Sequence, residues 1–110
     1  MLGKIMSKSE LRVYTACKDM VKAVESMASN IGVDMVEGDI IADKYGDAYI
    51  SFMSIANGNT KYAMHKLDVF DLISYSPEQL QVYMDDVAGR LVSAIYNQHH
   101  NDNRIPQTEE

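Results

Sequence analysis

Cysteine is almost missing from this 110-residue chain: Cys17 stands alone, so no internal disulfide can brace the fold. That usage fits a reducing compartment. No apolar run approaches the roughly 18 residues of a membrane span, and "MLGKIMSKSELR" lacks the apolar centre of a secretory signal. There is no Asn-x-Ser/Thr acceptor, and the closing "QTEE" matches no lipidation or retention signal. The expected location is cytoplasmic, with no membrane partner. Gly-x-Gly-x-x-Gly, P-loop, Gly-x-Ser-x-Gly and His-Glu-x-x-His signatures are all missing. No cofactor and no catalytic residue is therefore expected, and the chain is not read as an enzyme.

Positive charge is also scarce. The formal net charge is -6, and it is unevenly spread. Lys8 to Asn30 holds four bases and three acids, whereas Val33 to Ile73 holds seven acids and three bases. An acidic surface favours solubility and basic partners, and disfavours duplex nucleic acid, whose phosphates must be neutralised by Lys and Arg. With 46% hydrophobic and 24% charged residues the composition is that of a globular chain rather than a disordered one.

What is present reads as two helices bracketing a sheet. "SKSE" makes Ser7 an N-cap with Glu10 three residues on, a capping box, and Met6 and Leu11 fall at the staple positions. Leu11, Tyr14, Cys17, Val21, Val24 and Ala28 then recur at helical spacing, and Asn30 and Gly32 supply a stop. These signals predict a helix over residues 8–30. Ser76, Pro77 and Gln79 open a second helix in the same way, with Leu80, Met84, Val87, Leu91 and Ile95 as its apolar stripe. It is expected to end near Gln98. Gly89 lies inside it, either exposed and tolerated or admitting another backbone.

Between the helices, Gly46-Asp47 suits a two-residue II′ turn and Asn57-Gly58 a type I′ turn. Together they predict a three-stranded antiparallel meander, with "LDVFDLI" continuing the third strand. Val33 to Val36 is left as an extra edge strand or a connector. The fold class is α+β, a two-layer domain in α-β-β-β-α order. The globular part is expected over residues 1–98, with 99–110 a disordered polar tail.

Taken literally, the turns set Ile41 opposite Phe52, Phe52 opposite Ala63 and Met53 opposite Tyr62. One face then carries Ile41, Ala48, Ile50, Phe52, Ala63 and Leu67. The other carries Ile40, Tyr49, Met53, Ile55, Tyr62 and Met64. Neither face is polar. Helices in α+β folds segregate to one side of the sheet, so the second set is expected to lie uncovered and to be the partner-binding surface; the alternative is that each helix covers a different face and both sets are core. Tyr and Met suit such a surface, because both are enriched at interfaces and Met side chains adapt their shape.

The remaining chemistry is sparse. Cys17 sits on an apolar stripe, where a thiol is inert packing. In the predicted register His65 shares a row with Asp43, but too far away to pair. His99 and His100 diverge from a helix end with no further ligand cluster, so no metal site is assigned. Asp86 and Arg90 form a simple i,i+4 pair. Helix–three strands–helix is also the order of double-stranded RNA-binding domains. Those domains begin their last helix with a basic cluster, where this chain reads Ser76-Pro77-Glu78-Gln79. The likeness stops at element order.

The sequence therefore leads to a small acidic, non-catalytic protein-interaction module, an adaptor or inhibitor that docks or forms a homodimer through its sheet. Acidic domains of this type are common among phage and mobile-element regulators of host machinery. Two other readings use different surfaces. One is a small-ligand module with a Tyr/Met-lined pocket between sheet and helices. The other is a nucleic-acid binder using Lys8, Arg12, Lys18 and Lys22 on the first helix.

Overall fold

The protein, seen in a computed structural model, is described over residues 7–42 and 47–101. Helix α1 spans Lys8–Glu25. The Ser7 hydroxyl accepts from the Glu10 backbone N–H at 3.1 Å, and the Ser7 N–H donates to the Glu10 carboxylate at 3.0 Å. The capping box is therefore formed; its proposed staple partner Met6 lies outside the described residues. The helix stops earlier than residue 30. The Ser26 hydroxyl donates to the Ala23 carbonyl at 2.8 Å, and Met27 N–H reaches back only three residues, to Val24. A serine competing for backbone carbonyls tightens the last turn in this way. A short 3₁₀ turn, Ser29–Ile31, follows, and Gly32 at φ 74° reverses the chain.

Three strands come next: β1 Met35–Ala42, β2 Ala48–Ala56 and β3 Asn59–Leu67, paired antiparallel in the order β1-β2-β3. No fourth strand is formed among the described residues; of Val33 to Val36, the first two residues connect and Met35 and Val36 begin β1. Asn57 and Gly58 have φ of 54° and 80°, both positive as a type I′ turn requires. The β2–β3 register is the expected one, with Phe52 opposite Ala63 and Met53 opposite Tyr62.

The β1–β2 register differs. Ala42 pairs with Ala48, and Gly38, not Ile41, lies opposite Phe52. Gly46 of the expected Gly46-Asp47 turn lies outside the described residues; the shift of three positions in the pairing exchanges the two faces of β1. Gly38 supplies the reason. A Cβ there would collide with the Phe52 ring and come within 2.7 Å of Val21 Cγ1. The strand position without a side chain is the one where Phe52 and α1 approach the backbone. The predicted register would have set Ile41 in that place.

After β3 the chain turns into helix α2, Val69–Leu72, rather than extending the strand as expected. Asp68 caps it through a 3.3 Å bond from Asp71 N–H, and the turn drives Leu72 into the core. Helix α3 runs Pro77–Asn101 behind a second capping box, Ser76 with Gln79. It continues three residues beyond the expected end, so His99 and His100 are helical rather than part of a tail. Residues 102–110, the rest of that expected tail, lie outside the described residues.

Both long helices pack on one side of the sheet, α1 chiefly over β1 and α3 over β3 and α1. Between the layers Val24, Ile50, Phe52, Leu72, Met84, Val87 and Ile95 are each no more than 2% exposed. Complete burial of a side chain the size of Ile50 or Phe52 contributes about 1.5–3 kcal/mol. The α+β architecture in α-β-β-β-α order is thus built on one apolar layer.

Candidate functional site

The helices cover only one side of the sheet, so alternation along each strand determines what faces outward. On β2 the buried residues are Ile50, Phe52, Ser54 and Ala56, and the residues between them point away from the helices. Pairing then lays the outer face out in rows across the three strands: Met35–Ile55–Thr60, Glu37–Met53–Tyr62, Asp39–Ser51–Met64 and Ile41–Tyr49–Lys66. Tyr62 is 62% exposed, Met64 57%, Ile41 41% and Met35 38%. Tyr49, Met53 and Ile55, on the central strand, are half-buried by their neighbours in the sheet.

Five of the six residues expected at a partner surface are brought together here: Tyr49, Met53, Ile55, Tyr62 and Met64. Ile40 is not. It pairs with Ile50 on the helix-covered side and packs against the core. Ile41 takes its place, and Met35 extends the patch. Both were missed by a register taken from a glycine-aspartate turn; the glycine inside β1 was the available signal.

The rim of the face is charged on one side. Glu37 and Asp39 are exposed on β1, and no lysine or arginine occurs between Lys22 and Lys44. The cation on the face, Lys66, is at the far corner on β3 and forms an ion pair with Asp47 at 3.5 Å. The edges of the sheet are partly occupied by side chains. Gly38 N–H donates to the Glu25 carboxylate at 2.8 Å, Ile40 N–H to Asp39 Oδ1 at 2.9 Å, and the Tyr62 carbonyl accepts from Gln98 Nε2 at 2.6 Å.

His65 and His99 bridge the sheet and α3. His65 Nε2 is 2.8 Å from the Tyr83 hydroxyl, and Tyr83 also meets Tyr75 edge to face. Burial, and then the Arg90 charge, lower the His65 pKa against the opposing pull of Asp86; burial raises that of Tyr83. In the observed register the row of His65 contains Ile50 and Ile40 rather than Asp43, which is outside the described residues. His99 Nε2 lies 2.8 Å from the hydroxyl of Ser54, a fully buried residue. His100 stacks on Tyr96 at 4.0 Å. Cys17 is 1% exposed, and burial pushes its thiol up to about 12. Among the described residues no three of His, Cys, Asp or Glu gather as a metal cluster.

The other two surfaces are less suited to their readings. A groove of about 600 Å³ lies between α1 and α3, lined by Leu11, Ala16, Met20, Leu80 and Met84 among others, with no tyrosine. It opens on the helical side and not between helices and sheet. On the basic side of α1, Arg12 is engaged: its Nη2 donates to the carbonyls of Tyr75 at 2.6 Å and Ile73 at 3.4 Å. Lys18 lies over the Tyr14 ring at 5.4 Å. No helix of the described residues is long and apolar enough to cross a membrane. Comparison of the chain with protein-family models, with curated proteins and with solved structures gave no match.

Proposed function

We propose that this protein is a non-catalytic protein-interaction module, an adaptor or inhibitor, that binds its partner through the outer face of the sheet. The observation that carries the reading is the uncovered face itself. Met35, Ile41, Tyr62 and Met64 stand exposed around half-buried Tyr49, Met53 and Ile55, with no described element over them. Contiguous apolar surface of this kind is uncommon on a monomer and marks interaction sites. The partner is a protein or a second copy of the chain. In a homodimer the same residues would meet across a twofold axis.

The test compares the parent with a Tyr62→Lys/Met64→Lys variant in affinity capture from native-host lysate, read by mass spectrometry. Light scattering reports self-association. The variant is expected to remain folded by circular dichroism and to lose proteins that the parent retains, or to lose dimerisation. Identical capture and identical solution mass for the two proteins would reject the face as the functional surface.

A further inference from the structure

We infer that the occupant of the outer face is a cationic amphipathic helix, and not a second copy of this chain. The inference rests on the reading of that face as an interaction surface and adds the chemistry of the partner.

Charge argues first. The apolar strip of Met53, Tyr62 and Met64 is flanked along β1 by exposed Glu37 and Asp39. Among the described residues no lysine or arginine pairs with either. A twofold contact of the face with itself has two limiting alignments. With the axis across the strands, β1 meets β1, and the two acids of each copy confront those of the other. With the axis along the strands, β1 meets β3, and the carboxylates are set against Tyr62 and Met64, while Lys66, one row beyond Met64, is already paired with Asp47. Both alignments leave charge unmatched in an interface, which is costly. A partner carrying Lys or Arg along one flank of an apolar strip satisfies both features together. An anionic lipid surface would be repelled by the same acids.

Geometry argues for a helix. An extended peptide binds a sheet by pairing at its edge. Here the Gly38 and Ile40 N–H groups on β1 and the Tyr62 carbonyl on β3 already have side-chain partners. Laid flat on a face of side chains, a strand would have nothing to bond its backbone, whereas a helix satisfies its own. Strands of eight and nine residues span roughly 26–30 Å at about 3.3 Å per residue. A helix of about 13–15 residues covers roughly 20 Å of that length.

The test titrates the full chain, observed by amide NMR, with two synthetic 15-residue helical peptides. They share a Leu/Ala apolar face; one carries Lys along a single flank and the other Glu. The Lys peptide is expected to shift the amides of Met53, Tyr62 and Met64, with affinity falling at least tenfold between 50 and 300 mM NaCl. Glu37→Lys/Asp39→Lys should weaken it at least tenfold and admit the Glu peptide. Glu37→Gln/Asp39→Asn, the milder change, should abolish the salt dependence. Equal binding of both peptides at the face would overturn the charge selection and leave the interaction surface standing. Concentration-dependent shifts of the same amides without peptide would make the occupant a second copy. Lys-peptide shifts elsewhere only, or no shift from either peptide at millimolar concentration, would overturn the proposal.

Discussion

Gly38 and Gly89 both sit inside regular elements, yet their surroundings assign them opposite roles. Gly38 admits Phe52 and Val21 against the β1 backbone, while a Cβ on Gly89 would meet nothing within 4 Å. Gly38→Ala should therefore destabilise by about 1–3 kcal/mol through overpacking. Gly89→Ala should stabilise by about 1 kcal/mol through helix propensity. Urea midpoints of the two variants check both signs. His65 makes a pH prediction. Its folded pKa is depressed, chiefly by burial, so protonation favours the unfolded chain, in which the imidazole titrates near its usual value. Its contribution is present above that value and is lost as pH falls through it toward the folded pKa. Between pH 7 and 5.5 the stability of His65→Gln should fall less steeply than that of the parent, measured by denaturant unfolding at each pH.

At the scale of elements, the last turns of α3 are more firmly held than a polar helix end would be. Gln98 bonds the Tyr62 carbonyl, His99 bonds buried Ser54, and His100 stacks on Tyr96 and lies near Gly32. His99→Ala would leave the Ser54 hydroxyl buried without its partner, a loss of about 1–3 kcal/mol. Hydrogen exchange should then quicken selectively over residues 96–101. Ser54→Ala in the same background should recover part of the loss, because the stranded hydroxyl is gone. Exchange unchanged in His99→Ala would mean that the helix end is held by Gln98 and Tyr96 alone.

For the whole molecule, the asymmetry of the sheet is the feature that matters. One face is closed by α1 and α3, with Phe52 and Ile50 fully buried, and the other is open around Tyr62 and Met64. Phe52→Ala should cost about 3–5 kcal/mol. Tyr62→Lys/Met64→Lys should stay within about 1 kcal/mol of the parent, as surface changes do. Thermal and urea unfolding of the two variants would measure that contrast directly. Comparable destabilisation by both would show that the outer residues contribute to folding as the inner ones do.

Local chemistry carried much of this architecture in the sequence itself. Ser7 with Glu10, Ser76 with Gln79, and Asn57-Gly58 specify helix starts and a turn through bonds and dihedrals spanning only a few residues, and all three formed as read. Tyr49, Met53, Ile55, Tyr62 and Met64 were legible as a set because side chains alternate along a strand and that turn fixed their register. What the sequence left undecided depended on residues distant along the chain. The place of Ile40 and Ile41 was settled by Gly38 meeting Phe52 and Val21, the helical state of His99 by Ser54, and the capture of Arg12 by the carbonyls of Ile73 and Tyr75. Which face of the sheet stays open was likewise decided by α1 and α3 packing on the same side. Periodicity marks an apolar face, but only the packed layer determines what covers it.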